Sequence, residues 1–195
     1  MSLDRALGEV LLGLDSHDGP AADAQVAAAV LVPLYEDAGG ELHVVLTKRR
    51  GDLRRHAGEI SFPGGRRDPG DSSLSETALR EAEEEIGLPR AEVTLVGALQ
   101  RTSTFATNYA IHPFVGLLQS AQPWLASELE VDSVLEPSLR ELGAGATRTR
   151  MQRRGIAFET DAYVFDGELV WGATARILES LLARTGALLD RRAIG

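Results

Sequence analysis

The chain has 195 residues, 44% of them hydrophobic and 25% charged, which is the balance of a soluble protein that folds unaided into one domain with one active site. A formal charge of −9 disfavours non-specific nucleic-acid binding, which needs a basic excess. The absence of cysteine excludes disulfides, thiolate catalysis and thiolate-bound zinc, so any metal must be held by oxygen or imidazole, and the reducing cytoplasm is the expected location.

Leu3, Leu7, Val10, Leu11 and Leu14 have helical spacing and predict an amphipathic packing helix over about 2–14. Asp4 and Glu9 interrupt it, and no signal-peptide layout follows. No segment approaches the roughly 18 apolar residues of a membrane span, and the final Arg-Arg-Ala-Ile-Gly is no common address signal. No membrane partner is expected, and the oligomeric state is left open.

After a polar stretch over 15–23, strands are predicted from Val26 to Tyr35 and from Leu42 to Thr47, turning over Gly39-Gly40. Residues 51–70, rich in Gly, Arg and Pro, read as a long functional loop. A helix follows from Ser72 to Ile86, with Ser or Asp as N-cap and Gly87 as its stop. Further strands are expected at Val93–Leu99 and Ile111–Leu118, a short helix at Asp132–Leu142, and a basic loop from Gly143 to Gly155. A hairpin, Ile156–Phe165 and Glu168–Trp171, should turn at Asp166-Gly167, and a closing helix should run from about Ala173 to Arg184. Strands and helices mix without a repeating βαβ unit, so the predicted architecture is α/β with a mixed sheet flanked by helices.

The sharpest feature is Arg80-Glu81-Ala82-Glu83-Glu84-Glu85-Ile86-Gly87-Leu88. On a helix Glu81, Glu84 and Glu85 share a face while Glu83 points elsewhere. Like charges at Glu81 and Glu85, close to a helix C-terminus, oppose helix formation, and a bound hard cation would compensate for them. An acidic run is usually a solvated face. Arg80, the Gly87 stop and the preceding glycine loop favour the metal here.

Arg80 to Leu88 resembles the second half of the Nudix box, Arg-Glu-apolar-x-Glu-Glu-x-Gly-apolar, at each defined position if Ala82 counts as apolar. The resemblance to the Nudix hydrolases implies an α/β/α sandwich with a mixed β-sheet and a box over about 65–88 in a single domain, 1–195. It also implies Glu81, Glu84 and Glu85 as metal ligands for Mg²⁺ or Mn²⁺, and Arg80 as the residue that orients a ligand carboxylate. The interval from Gly65 to Arg80 is one residue longer than the family pattern. The mid-box glutamate then falls on Asp71 or Ser72, depending on the end counted from, with Glu76 out of register and Glu59 another substitute.

Upstream, Lys48, Arg49, Arg50, Arg54, Arg55, His56, Arg66 and Arg67 crowd one short window of an acidic protein. Guanidinium groups bind phosphate in bidentate fashion, and Gly64 and Gly65 let backbone N–H groups approach it closely. Arg49 and Arg54 are the favoured substrate contacts; for Arg50, Arg55 and Arg67 surface solubility is the plainer reading, and His56 reads as an ordinary loop histidine. The run Leu46-Thr47-Lys48-Arg49-Arg50, then Arg54, Gly58 and Phe62-Pro63-Gly64-Gly65, resembles the signature of the coenzyme A pyrophosphatase subgroup, departing at Val45 and Arg50. Trp171-Gly172-Ala173-Thr174 resembles a stretch of the same subgroup. The expectation is therefore Mg²⁺-dependent cleavage of coenzyme A, or its derivatives, to 3′,5′-ADP and 4′-phosphopantetheine. ADP-ribose, dinucleotides or nucleoside triphosphates are the alternative substrates, and a non-catalytic nucleotide-binding module is the remaining alternative. The general base is left open among these glutamates, Glu159 and Asp161. Arg148, Arg150, Arg153 and Arg154 read as a solvated basic loop.

Overall fold

The computed structural model describes residues 2–17, 25–52, 57–104, 108–153 and 155–192. Its centre is β1 (Val26–Glu36), which lies parallel to β8 (Tyr109–Leu117) and antiparallel to β2 (Leu42–Val44) and β5 (Gly64–Arg66). β6 (Thr94–Ala98) and β7 (Thr102–Ser103) pair antiparallel with β8, so the sheet is mixed. β1 is apolar on both faces because both are covered. Ala29, Leu31 and Tyr35 share a core cluster with Ala78, Ala82 and Ile86 of α2 (Leu74–Ile86), while Val32 and Leu34 belong to the cluster that holds Ile177, Leu178 and Leu181 of α4 (Gly172–Arg192). Helix, sheet and helix form the expected α/β/α sandwich. Among the described residues no helix is long and apolar enough to cross a membrane.

Two smaller sheets flank the central one. β3 (Leu46–Arg49) pairs with β4 (Ile60–Ser61) and β9 (Val131–Leu135), and β10 (Ala146–Arg153), β11 (Ile156–Phe165) and β12 (Glu168–Trp171) form a meander. The hairpin at Asp166-Gly167 is as expected: both residues have positive φ, 49° and 79°, which a two-residue turn matched to strand twist requires.

Several expectations are corrected. α1 (Leu3–Val10) stops short of residue 14 because Leu11 is extended and Leu12 exchanges backbone hydrogen bonds with Ala98. The strand from Leu42 to Thr47 is two strands, broken at Val45, whose N–H bonds Pro33 while the chain leaves one sheet for another. The loop over 51–70 contains β4 and β5. The helix expected from Asp132 begins only in α3 (Leu139–Ala144), capped by the Ser138 hydroxyl. Before it, Val131 and Val134 lie in β9, where branched side chains fit, and Pro137 bars helical geometry at Glu136. The basic loop over 143–155 is mostly β10, in which Arg148 and Arg150 alternate with threonines in full register with β11. α4 runs on past Arg184 to Arg192.

Candidate active site

α2 forms because its apolar positions recur at helical spacing, Ser73 accepts the Glu76 N–H, and Gly87 closes it at φ 66° in the left-handed region. Its acidic run divides by environment. Glu83 turns outward to Arg90 at 3.0 Å. Glu84 lies 3.1 Å from Arg80 Nη1 and its side chain is 59% exposed. Glu81 and Glu85 are drawn in against the β5 loop. A methyl group at Gly65 would collide with the Glu81 carboxylate, and one at Gly64 with the Ala29 carbonyl and Val30, so glycine is what lets helix and loop meet.

Glu85 is 6% exposed, and its Oε2 is buried with no hydrogen-bond partner. Burial pushes its carboxyl pKa up to about 8; Arg49 and the Gly64 backbone act against this, while Glu81 and Glu130 add to it. Glu81 is raised in the same direction, chiefly by burial and against the pull of Arg80. The carboxylate row is thus electrostatically short of positive charge on one side.

On its other side the row is well served. Arg80 donates from Nε to Asp71 Oδ1 at 3.0 Å and from Nη2 to Asp71 Oδ2 at 3.1 Å, a bidentate pair, and to the Arg66 carbonyl at 3.2 Å. Its Nη2 also lies 3.0 Å from Glu81 Oε1. Asp71 further accepts from Thr77 Oγ1 at 2.8 Å and the Asp68 N–H at 2.9 Å. The Arg80 guanidinium holds the Asp71 carboxyl well below the usual carboxylate range. Of the substitutes for the mid-box glutamate, Asp71 therefore stands on Arg80. Ser72 bonds Glu76, and Glu76 itself faces Arg90 at 2.9 Å. Glu59 lines the groove described below.

Among the upstream cations Arg49 reaches the carboxylates. Its Nη1 is 4.0 Å from Glu85 Oε1 and its Nη2 3.2 Å from Glu130 Oε2, aided by a register shift between Lys48 and Arg49 that re-aims the strand end. Lys48 pairs with Glu168 at 2.5 Å and Arg50 with Asp52 at 2.7 Å. Arg67 bonds the carbonyls of Asp71 and Ser72 and so braces the loop. Arg54, Arg55 and His56 lie outside the described residues. Glu130, which sequence reasoning did not single out, stands close enough to Glu81 and Glu85 to raise both.

Arg49, Gly64 and Gly65 also wall a groove of about 770 Å³, within the range of small-molecule sites. Tyr109, Ile111, Phe158 and Trp171 make its apolar part, and Arg66 and Arg176 also reach it. Thr174 Oγ1 donates to the Ile60 carbonyl at 3.1 Å and staples the start of α4 to β4 across the groove. Glu159 lines this groove and pairs with Arg148 at 3.5 Å; Asp161 is exposed on β11 opposite Arg148.

The NUDIX domain profile matches residues 25–143, more than half of the chain and the whole of α2 with its loop. The protein belongs to the Nudix hydrolases. Nudix hydrolase NudL of Yersinia pestis (strain Pestoides F) is 36% identical over 157 residues, covering 79% of this chain and 77% of that protein. Two solved structures share the fold. A MutT/nudix family protein from Enterococcus faecalis matches with a TM-score of 0.55 at 16% identity, over 96% of this chain and 70% of its own. The Nudix hydrolase RenU from M. smegmatis matches at 0.53 and 17% identity, over 69% and 81%. This chain is accordingly a Nudix pyrophosphohydrolase, a family that works with divalent metal ions.

The residues fit such an ion in one respect that the geometry supplies: Glu85 presents a buried, unpartnered carboxylate oxygen beside Glu81. Among the described residues no three acidic or histidine side chains already stand together as a finished cage. A magnesium ion shared with substrate phosphates needs only one or two protein carboxylates, so an open arrangement suits it.

Proposed function

We propose that this Nudix protein is a Mg²⁺-dependent pyrophosphohydrolase of coenzyme A or its derivatives, releasing 3′,5′-ADP and 4′-phosphopantetheine. One observation carries the reading. The two segments that resemble the coenzyme A subgroup are far apart in sequence, yet Arg49, Phe62, Gly64 and Gly65 of the first and residues 171–174 of the second wall the same groove, and Thr174 staples α4 to β4 there. At one end of that groove stand Arg49 and the Gly64-Gly65 turn beside the carboxylate row; the apolar part suits a nucleobase or a pantetheine arm.

In this reading Glu81, Glu84 and Glu85 hold the divalent cation, Mg²⁺ or Mn²⁺, which would polarise the pyrophosphate as a Lewis acid. Arg80, fixed by Asp71, orients Glu81 and Glu84. Arg49 binds the scissile pyrophosphate, because it lies among the carboxylates, and Gly64 and Gly65 let the backbone approach the phosphates. Arg54 is proposed for the same phosphates from its place in the signature. Glu159, as a groove-wall carboxylate, stays a candidate general base alongside the α2 glutamates. ADP-ribose, dinucleotides and nucleoside triphosphates offer the same bond to the same machinery.

The test is a product assay on coenzyme A and ADP-ribose with and without Mg²⁺. Formation of 3′,5′-ADP and 4′-phosphopantetheine from coenzyme A, metal-dependent and faster than ADP-ribose cleavage, is the expected result. Preferential turnover of ADP-ribose would replace the substrate while keeping the chemistry.

A further inference from the structure

Arg49 and Arg80 flank the same carboxylates but are held very differently. Arg80 has Asp71, Glu81, Glu84 and the Arg66 carbonyl around it. Arg49 has one close ion pair, to Glu130 at 3.2 Å, a longer one of 4.0 Å to Glu85, and a buried Nε with no partner. Its backbone is nevertheless fixed, since its N–H bonds the Glu59 carbonyl at 3.0 Å and its own carbonyl accepts from Gly58 at 3.1 Å. What is loosely held is the guanidinium alone.

Glu130 is placed by backbone as well. Its carbonyl accepts from the Arg50 N–H at 3.0 Å, and its N–H bonds Ser127, whose own N–H bonds the Glu85 carbonyl at 2.8 Å. The segment 127–130 therefore ties the end of α2 to β3 and sets the half-exposed Glu130 side chain against the Arg49 guanidinium, which also faces Glu85. A guanidinium beside a buried carboxylate supplies part of the positive charge a cation would bring, and at this range it repels an arriving cation strongly where water is excluded.

We propose that Arg49 and Glu130 together set the metal affinity of the site: Arg49 is the counter-charge that a divalent cation must displace from Glu85, and Glu130 is the positioning residue that receives it. The inference rests on Glu81 and Glu85 being the metal site. A guanidinium shifted towards Glu130 keeps its donors available to a phosphate, so metal loading and substrate capture draw on the same side chain. No covalent step is involved.

The experiment is Mn²⁺ binding to the purified full chain without substrate, read from the free-Mn²⁺ electron paramagnetic resonance signal, for wild type, Arg49→Gln, Arg49→Lys, Glu130→Gln, the Arg49→Gln/Glu130→Gln pair and Glu85→Gln. Arg49→Gln should bind Mn²⁺ more tightly, by about tenfold, since a nearby positive charge is gone. Arg49→Lys should stay near wild type because the charge remains. Glu130→Gln should weaken binding severalfold in the wild-type background and have no such effect once Arg49 is Gln. Unchanged or weaker Mn²⁺ binding in Arg49→Gln, with binding abolished in Glu85→Gln, overturns this inference and leaves the metal site standing. Equal weakening by Glu130→Gln in both backgrounds makes Glu130 a direct ligand and overturns its positioning role. Unchanged binding in Glu85→Gln removes the metal assignment itself.

Discussion

The two sides of the carboxylate row contrast. On the side of residues 66–80, Asp71, Arg80, Thr77 and the Asp68 N–H satisfy one another in a closed network. On the side of Arg49 and Glu130, Glu85 Oε2 and Arg49 Nε are both buried without partners. Buried polar groups are satisfied almost everywhere in folded proteins, and one left open is a place where something else belongs. In the proposed reading the closed side is scaffold, and the open side would take the cation and the phosphate.

Disrupting the open side should produce the largest effect. Glu85→Gln changes little volume, so the fold is expected to persist while kcat falls about a hundredfold or more, measured by steady-state hydrolysis of coenzyme A. Near-wild-type turnover would remove Glu85 from the chemistry.

Disrupting the closed side should cost stability as well. Asp71→Asn removes the bidentate partner of Arg80 and leaves it Glu81 and Glu84, so the loss is that of charged hydrogen bonds, about 1.5–3 kcal/mol. Denaturant unfolding would read this, and a loss under about 0.5 kcal/mol, the range of plain surface changes, would demote the network to decoration.

Next comes Arg49. A charged hydrogen bond to phosphate is worth roughly 1.5–3 kcal/mol, or about ten- to a hundredfold in kcat/KM. Arg49→Ala should lose this on coenzyme A and on dephospho-coenzyme A alike, because Arg49 stands among the carboxylates. A loss confined to coenzyme A would move it to the 3′-phosphate.

The open side also carries a pH signature. Glu85 has its folded pKa raised to about 8 from a reference of 4.5. The folded chain therefore holds this proton where the unfolded chain has released it. The stability it contributes is complete below about 4.5 and is lost as pH rises through 8. In chelator, wild type should lose stability across that window and Glu85→Gln should lose less; parallel profiles would contradict the burial argument. The smallest effect is expected at Arg148, whose ion pair with Glu159 joins two exposed side chains. Arg148→Ala should shift unfolding by no more than about 0.5 kcal/mol.

How much of this was legible in the sequence follows the range of the interactions. α2 was readable because its spacing, Ser73 cap and Gly87 stop are all local. β4 and β5 were not, since two- and three-residue strands exist through partners that periodicity over a short window does not show. The sequence predicts helix at β9 and loop at β10 for the same reason: pairing with β3 and β11 overrides local preference. At the site, the row Glu81, Glu84, Glu85 was visible as a helical face, but its division was not. Burial of Glu85 and exposure of Glu84 depend on the β5 loop packing over one edge. Asp71, Ser72 and Glu59 are not distinguishable in the sequence, and the bidentate contact with Arg80 singles out Asp71. Glu130 had no local signal, being delivered by the loop that follows β8 and returns to the end of α2.

The most direct test of the contrast is Mn²⁺ binding compared between Glu85→Gln and Asp71→Asn, each against wild type, by the free-Mn²⁺ signal in substrate-free protein confirmed folded by circular dichroism. Loss of binding in Glu85→Gln with binding largely retained in Asp71→Asn is the expected result. Equal loss in both, or loss in Asp71→Asn alone, would mean that the closed network is itself the metal site, and would contradict the division between scaffold and ligand sides.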